Sequence, residues 1–307
     1  MKVAVIGGLG FIGSHIVDSL ISDNHEVYIY DNLSNGNIDN KNEKATVFIG
    51  DILEISDLNT FFERVKPDLV CHHAAQIDVQ TSMKHPKMDA SINVMGTINV
   101  LDMCVRHHVK RIVYASSAAI YGNPHYLPVD EKHPLNPESF YGLSKAIPES
   151  YIRLYARNNH FSYGILRYAN VFGPRQKAEG EGGVVAIFSS LMTEGKDCFI
   201  YGDGNQTRDF IYVKDIAKAN VLALQSDKSF TVNISTNKEI TVNELFQIMK
   251  QTYDYQKQAN YREARTGDIV NSYLSNKEAF DIIGFEPAYS VVEGIKEMAD
   301  ADGQKIS

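Results

Sequence analysis

Short apolar runs alternate with longer amphipathic segments through the first half of the chain. The run KVAVIGG is rich in β-branched residues, as in a buried parallel strand, and the segment FIGSHIVDSLI after it has helical spacing at Ile12, Ile16, Val17 and Leu20. The alternation continues through EVYIYD, TVFIGD, LNTFFERV, DLVCHHAA, INVMGTINVLDMCVRHHV and RIVYASSAAIYG. This pattern predicts an α/β fold with a doubly wound parallel sheet and with ligands at the carboxyl ends of its strands.

The pattern changes after Tyr168. The glycine-rich GPRQKAEGEGG and the turn-and-strand segment YGDGNQTRDFIYVKD interrupt the alternation, and VKDIAKANVLAL then shows helical spacing again. We expect a first lobe at 1–168 and a second, smaller lobe at 169–307. We also expect residues 212–236 to pack back onto the first lobe, which makes the second lobe discontinuous. A chain of 307 residues is long enough for two lobes.

Composition narrows the class of partner. The formal net charge is −8 and the pI is about 5.7, with no run of basic residues, which argues against nucleic acid or an anionic membrane as a partner. Three scattered cysteines, Cys71, Cys104 and Cys198, are too few for a disulfide framework and fit a reducing cytosol. Glycines interrupt the apolar run that follows Lys2, so we expect neither a signal peptide nor a membrane span, and we predict a cytoplasmic protein.

A glycine turn lies between the first predicted strand and helix. Gly7, Gly10 and Gly13 form a G-x-x-G-x-x-G pattern, which lets backbone N–H groups approach a pyrophosphate at the start of the helix, as in a Rossmann-type fold. The next strand ends in Asp31, an acceptor for ribose hydroxyls that would repel a 2′-phosphate, so NAD is favoured over NADP. The alternative is that Asp31 and Asp51 are ordinary strand-end turn residues.

A tyrosine and a lysine stand four residues apart in the segment SFYGLSK. Because a helix is predicted to start there, after Pro134 and Pro137, Tyr141 and Lys145 lie one turn apart on one face and could reach one ligand. A packed surface pair is the alternative. Pro148 lies further along this predicted helix, where it removes a backbone hydrogen bond and predicts a kink.

The motifs G-x-x-G-x-x-G, YASSAAIYG, YGLSK and LRYANVFGPRQ follow one another in this order. With them the chain resembles the extended short-chain dehydrogenase/reductases, and within these the UDP-hexose 4-epimerases. The resemblance implies that Ser117, Tyr141 and Lys145 are the catalytic residues. It implies that Tyr141 removes the 4-hydroxyl proton, that the carbon-4 hydride passes to NAD+, and that it returns to the other face of a rotated 4-keto sugar.

The pair in YGLSK makes chemical sense under this resemblance. A free tyrosine has a pKa of about 10, so few phenolates exist at neutral pH to act as a general base. A cation within about 4 to 6 Å lowers such a pKa by about 1 to 3 units, and Lys145 together with the nicotinamide ring can supply that charge.

The resemblance also implies the remaining contacts. We assign to the cofactor site Gly7, Gly10, Phe11, Ile12, Gly13, Asp31, Asn32, Asp51, Ile52, Ala74, Ala75, Tyr141 and Lys145. We assign to the UDP-sugar site Ser117, Tyr141, Asn170, Val184, Tyr201, Arg208, Arg265, Asp268 and Ser272. Each arginine could instead form a surface ion pair, for instance Arg208 with Asp209. Relatives often dimerise through two helices, here 91–108 and 149–159, and we expect a homodimer.

Other reactions of related enzymes remain alternatives. Sugar-nucleotide dehydratases and decarboxylases of this kind carry an acid soon after the catalytic serine or threonine, whereas this chain has Ala118 and Ala119, which favours an epimerase. A 4-keto-sugar reductase is the second candidate, and a non-catalytic NAD-binding scaffold is the third. His72 and His73 point to opposite faces of a strand and cannot share an ion, so we expect no metal.

One position bears on the sugar. Relatives restricted to glucose and galactose carry a tyrosine seven residues beyond the arginine of the Arg-x-Gly-Asp motif, and this chain has Ser272 there. The resemblance therefore implies room for an acetamido group at carbon 2. The alternative is that Ser272 is a small residue beside a turn, or that Tyr273 takes that place.

Overall fold

The computed structural model describes residues 1–178, 183–264 and 269–303. Its strands are β1 (Lys2–Ile6), β2 (Glu26–Asp31), β3 (Thr46–Ile49), β4 (Leu69–His72), β5 (Arg111–Ser117), β6 (Ser162–Tyr168), β7 (Asn170–Phe172), β8 (Phe199–Tyr201), β9 (Thr207–Arg208), β10 (Phe210–Tyr212), β11 (Phe230–Ile234), β12 (Ile240–Thr241), β13 (Asn260–Arg262) and β14 (Asn271–Ser272). Seven of them form one parallel sheet in the order β11, β6, β5, β4, β1, β2, β3. The predicted doubly wound parallel sheet is confirmed.

Helices cover both faces of this sheet. They are α1 (Phe11–Ser22), α2 (Ile55–Val65), α3 (Val79–Lys84), α4 (Pro86–Ala90), α5 (Gly96–Arg106), α6 (Phe140–Asn159), α7 (Val184–Thr193), α8 (Val213–Gln225), α9 (Val242–Thr252), α10 (Lys277–Ile283) and α11 (Val291–Ala301). A π-helical turn, Ser91–Met95, joins α4 to α5. The 91–108 helix expected from the sequence therefore begins as a π turn and ends at Arg106.

Three apolar cores follow from this arrangement. One lies on the face of the sheet covered by α1 and α8, and a second lies on the face covered by α2, α5 and α6. Both faces of the sheet are thus buried, which explains why its strands are continuous apolar runs. A third core joins α7, α9 and α11 to the β7–β10 pair, outside the main sheet.

Residues 212–236 contribute to the large sheet region. Within them, α8 packs against α1, and β11 is the outer strand beside β6. The order of strands changes direction at β1, which lies between β4 and β2. Such a switch point opens a crevice at the carboxyl ends of the strands. None of the helices in the described ranges has the length and apolar character that a membrane crossing requires.

Candidate active site

The glycine turn after β1 is tightly packed. Gly7 has a φ of +83°, and a Cβ there would lie 2.5 Å from the backbone nitrogen of Ala74. A Cβ on Gly13 would lie 2.1 Å from the Gly7 carbonyl oxygen, so α1 can start directly against β1 only without that atom. The N-cap, Gly10, has no side chain, and no acid lies in the first turn of α1. The positive end of the helix is therefore open to an anion.

Asp31 ends β2 beside this turn. Its carboxylate is buried and accepts backbone hydrogen bonds from Leu9 (2.9 Å) and Leu33 (2.8 Å). A carboxylate has about four acceptor positions, so Asp31 can order the turn and still accept from ribose hydroxyls. Asp51 accepts from Leu53 (2.8 Å) and from the Asn32 amide (2.9 Å). The turn-forming role and the cofactor role are compatible.

A single cleft of about 1090 Å³ brings most of the predicted residues together. It is lined by Gly7, Gly10, Phe11, Ile12, Gly13, Asp31, Asn32, Asp51, Ile52, Ala74, Ala75, Ser117, Tyr141, Lys145, Asn170, Val184, Tyr201 and Arg208. Ser272 is half-buried and pairs in β14 with Arg208, but it does not line the cleft formed by the described residues. Arg265 and Asp268 lie outside the described residues.

The predicted catalytic side chains approach this cleft from two elements. Ser117 ends β5, and its hydroxyl oxygen accepts from the Ala119 backbone (3.2 Å), capping a short 3₁₀ turn, Ala118–Ile120. Tyr141 and Lys145 lie in the first two turns of α6, whose N-cap Ser139 accepts from the Gly142 backbone (3.0 Å). The three residues predicted from separate motifs therefore line one cleft.

Lys145 is almost completely buried. The residue is 4% exposed, and Nζ lies 4.5 Å from the centroid of the Tyr114 ring. Burial lowers the pKa of Lys145 to about 7, against the opposing effect of the negative charges of Asp89 and Glu149. A small change in local charge therefore decides whether this lysine is protonated near neutral pH.

A buried ionic network beside Ser117, the predicted catalytic serine, was missed from the sequence. Glu149 is 0% exposed and accepts from Ser116 Oγ (2.7 Å), Arg167 Nε (2.9 Å), Arg167 Nη2 (2.7 Å) and Arg153 Nη2 (2.8 Å). Burial alone would raise the pKa of Glu149, but its bonds to Arg167 outweigh burial and leave the pKa below its usual value. The sequence signal available for Glu149 was its i, i+4 spacing from Lys145, which places both residues on one face of a helix.

The other end of the cleft is formed by later elements. Asn170 begins β7, and its amide donates to the Asp209 carbonyl oxygen (3.2 Å). Arg208 donates from Nη1 to the carbonyl oxygen of Thr207 (2.7 Å). The buried Asp209 carboxylate accepts from Thr236 Oγ1 (2.7 Å). Arg208 and Asp209 thus each have bonds outside the ion pair considered from the sequence.

Two further sequence features have simple structural settings. His72 Nε2 lies 3.0 Å from Thr97 Oγ1, and His73 Nε2 lies 3.0 Å from Tyr168 Oη, so the two rings serve different partners. Helix α6, which carries Tyr141 and Lys145, continues as one helix through the buried Pro148. The kink predicted there stays a prediction.

Comparison with known proteins gives one consistent family. The model of the NAD dependent epimerase/dehydratase family matches residues 3–235. A protein described as a putative UDP-glucose 4-epimerase of Methanocaldococcus jannaschii is 48% identical over 299 residues, 97% of each chain.

Two solved structures extend the likeness to the whole chain. UDP-glucose 4-epimerase of Thermotoga maritima, solved with UDP-glucose, has a TM-score of 0.96 at 38% identity and covers 99% of both chains. UDP-N-acetylglucosamine 4-epimerase of Methanobrevibacter ruminantium, in complex with UDP-N-acetylmuramic acid, has a TM-score of 0.93 at 36% identity, covering 98% of this chain and 97% of that one.

Proposed function

The chain belongs to the NAD dependent epimerase/dehydratase family, and we propose that it is a UDP-hexose 4-epimerase that keeps NAD bound. The observation that carries this proposal is the single cleft, which joins a glycine turn and Asp31 at one end, Ser117, Tyr141 and Lys145 in the middle, and Arg208 and Tyr201 at the other. A dinucleotide and a nucleotide sugar can meet at the catalytic residues in such a cleft.

The cofactor end fits NAD. Side chains on Gly7 and Gly13 would clash with backbone atoms, and the start of α1 is open to a pyrophosphate. Asp31 would accept from the adenosine ribose and disfavour a 2′-phosphate, while Lys145 would hold the nicotinamide ribose. Bound NAD+ supplies a reversible hydride acceptor for carbon 4 of the sugar.

The protein's own residues handle the proton. Tyr141, as a phenolate, takes the proton of the sugar 4-hydroxyl, and Ser117 donates to that oxygen and relays the proton. The ammonium of Lys145, one turn along α6, stabilises the phenolate. When carbon 4 is reduced again, Tyr141 returns the proton. Ala118 and Ala119 offer no acid for chemistry at a neighbouring carbon, which favours epimerisation over dehydration.

The nucleotide-sugar end follows the same family pattern. Arg208 and Arg265 hold the diphosphate, since guanidinium groups match phosphate oxygens. Tyr201 stacks on the uracil, Asp268 binds its ribose, and Asn170 and Val184 contact the diphosphate and sugar. The NAD-binding lobe consists of 1–168 together with 212–236. The nucleotide-sugar lobe is the rest of 169–307.

Ser272 extends the proposal to N-acetylated sugars. A tyrosine at this position would add some 150 to 250 Å² of surface. β14 pairs Ser272 with Arg208, a cleft residue, and we propose that a bulky side chain at position 272 extends from there toward the sugar. We expect UDP-N-acetylglucosamine and UDP-N-acetylgalactosamine to interconvert, as well as the UDP-glucose and UDP-galactose pair. Ser272→Tyr should abolish the first interconversion and keep the second; equal loss of both would contradict this role.

The test of the function is equilibration of a panel of UDP-sugars with the purified protein. We expect 4-epimers to appear with no net use of added NAD or NADH. A product that forms only with stoichiometric oxidation of NADH would indicate the reductase instead. No epimer from any UDP-sugar, together with no change in nicotinamide absorbance, would indicate a non-catalytic scaffold.

A second copy of the chain is the proposed partner. The outer face of α6 exposes an apolar stripe with helical spacing, formed by Phe140, Leu143, Ile147, Tyr151 and Leu154. This stripe faces outward rather than into the core, and Met95, on the neighbouring π turn, is also exposed. Leu154→Lys should give a monomer in analytical ultracentrifugation, whereas Val292→Lys, at an exposed apolar position on α11, should not change the mass. We place this dimer in the cytoplasm.

A further inference from the structure

A buried carboxylate without a charged partner lies on α4. Asp89 is 0% exposed; its Oδ1 accepts from Gln76 Nε2 (2.7 Å) and Asn93 Nδ2 (3.3 Å). Its Oδ2 is also buried and has no hydrogen-bond partner among the described residues. In the part of the chain that the structure describes, no lysine or arginine nitrogen forms an ion pair with it. An ionised carboxylate in such a place is costly unless a charge lies nearby.

The catalytic helix packs against α4. Asn93 links them, because its amide donates both to Asp89 and to Ser144 Oγ (2.9 Å), the residue before Lys145. Lys145 is buried as well, and desolvation opposes its charge while the negative charge of Asp89 favours it. The Asp89 carboxylate and the Lys145 ammonium, neither of which forms an ion pair among the described residues, therefore lie on two packed helices. The Asn93 amide connects these helices.

The other titratable groups near Lys145 cannot supply the missing negative charge. At the end of β4, burial lowers the pKa of His73 to about 3 and that of His72 well below its usual value, so both rings are neutral. On β5, burial raises the pKa of Tyr114, which stays neutral as well. On α6, Tyr141 is the reacting group itself.

Glu149 is the remaining acid on α6. Its charge is already offset by two guanidinium groups, those of Arg167 and Arg153, at 2.7 and 2.8 Å. Asp89 has no such partner among the described residues, and of the two negative charges that act on the pKa of Lys145 it has the larger effect.

We propose that Asp89 is a positioning residue whose buried carboxylate is the counter-charge of the Lys145 ammonium. It acts through Lys145: by keeping that group protonated, it keeps the phenolate of Tyr141 accessible near neutral pH. Gln76 and Asn93 hold Oδ1, which fixes the direction from which the charge acts. The catalytic part of this proposal rests on the proposed epimerase function.

The first test is the pH dependence of kcat for UDP-glucose epimerisation in Asp89→Asn. The change removes the charge and keeps the Oδ1 acceptor. We expect the alkaline limb of the pH profile to move to lower pH by about 1 unit, because Lys145 then loses its proton at lower pH. This value is the lower end of the pKa shift of about 1 to 3 units that a nearby opposite charge causes. Asp281→Asn is the control, since Asp281 also lies on a helix beside a lysine, but in solvent. It should leave the limb in place.

The second test does not depend on turnover. The Tyr141 phenolate is titrated by ultraviolet difference absorbance against Tyr141→Phe, and its pKa should rise in Asp89→Asn. In a Lys145→Met background, where Asp89 has lost its counter-charge, Asp89→Asn should raise the midpoint of urea unfolding. The proposal would be overturned if Asp89→Asn moved neither the alkaline limb nor the pKa of Tyr141. It would also be overturned if Asp89→Asn lowered the urea midpoint in the Lys145→Met background. Lack of epimerase activity in the wild type, with these two responses intact, would instead refute only the proposed function.

Discussion

Replacement of Gly13 by alanine tests the packing that places α1 against β1. Gly13 lies inside α1, where alanine is intrinsically better than glycine by about 0.8 to 1.0 kcal/mol. Propensity alone therefore predicts a more stable protein. The structure predicts the opposite, because the new Cβ would lie 2.1 Å from the Gly7 carbonyl oxygen and 3.0 Å from Gly8 Cα.

The size of the effect follows from these distances. Ordinary van der Waals contact of a Cβ begins near 3.4 Å, so the backbone of the turn after β1 and helix α1 must move apart by more than 1 Å. The obstacle is a carbonyl in a turn, which cannot rotate away as a side chain would. Overpacking of this kind costs about 1 to 3 kcal/mol. Because the overlap is with backbone, the upper part of that range applies, about 2 to 3 kcal/mol. After subtraction of about 0.8 to 1.0 kcal/mol for helix propensity, the net loss is about 1 to 2 kcal/mol, a factor of about 5 to 30 in the folding equilibrium.

Gly10→Ala is the matched control for this prediction. A Cβ at Gly10 would meet only the Gly7 carbonyl oxygen, at 3.4 Å, and would otherwise point into open space at the cleft. We expect this variant to fold with a loss of about 0.5 kcal/mol, from the poorer N-cap, yet to retain little NAD because the methyl group occupies the pyrophosphate position.

Two measurements separate the variants. Urea unfolding of NAD-free protein reports packing, and acid extraction with chromatography reports bound NAD. Gly13→Ala should lose both stability and bound NAD, whereas Gly10→Ala should lose only bound NAD. A Gly13→Ala protein as stable as the wild type would refute the close approach of α1 to the turn.

Three other predictions follow from the same site. Tyr141→Phe should lower turnover by about 10²- to 10⁴-fold while NAD and UDP stay bound, since it deletes only the phenolic oxygen; a variant retaining more than about a tenth of the rate would require another base. Asp31→Ala should lower the NAD content of purified protein and reduce its preference over NADP; NADP bound to the wild type would contradict the role of Asp31. Glu149→Ala should cost about 3 to 5 kcal/mol in urea unfolding because Arg167 is left buried and unpaired, and a loss below about 1 kcal/mol would show that water replaces the carboxylate.

The main sheet could be predicted from the sequence because its signals are local. Each strand of the first half is a short apolar run, and the turn between β1 and α1 needs its glycines at fixed spacing. The rule that ligands lie at strand carboxyl ends then gathers Asp31 and Ser117 with residues from distant motifs. Of the predicted site residues that the structure describes, Ser272 alone lies off the cleft wall.

The polar groups behind the site could not be predicted in the same way. Glu149 and Arg167, and Gln76 and Asp89, come from different elements and meet only in the folded protein. A charged residue in a helical segment usually lies on a solvated face, whereas Glu149 and Asp89 are both 0% exposed. Spacing from Lys145 indicates Glu149, since i and i+4 share a face, but no such spacing indicates Asp89.

The distribution of polarity along the cleft bears on the rotation that the proposed reaction requires. The 4-keto sugar must turn over without leaving, so its own contacts have to be weak while those of the nucleotide are strong. The lining of the cleft includes small or apolar side chains, among them Ala169, Val171, Val184 and Ile187, as well as the polar Asn170 and Gln176. Apolar side chains cannot form hydrogen bonds with the sugar hydroxyls, so we expect the diphosphate and the uridine to supply most of the binding energy. Under the proposed function, that division lets either face of the sugar ring be presented while the diphosphate stays held.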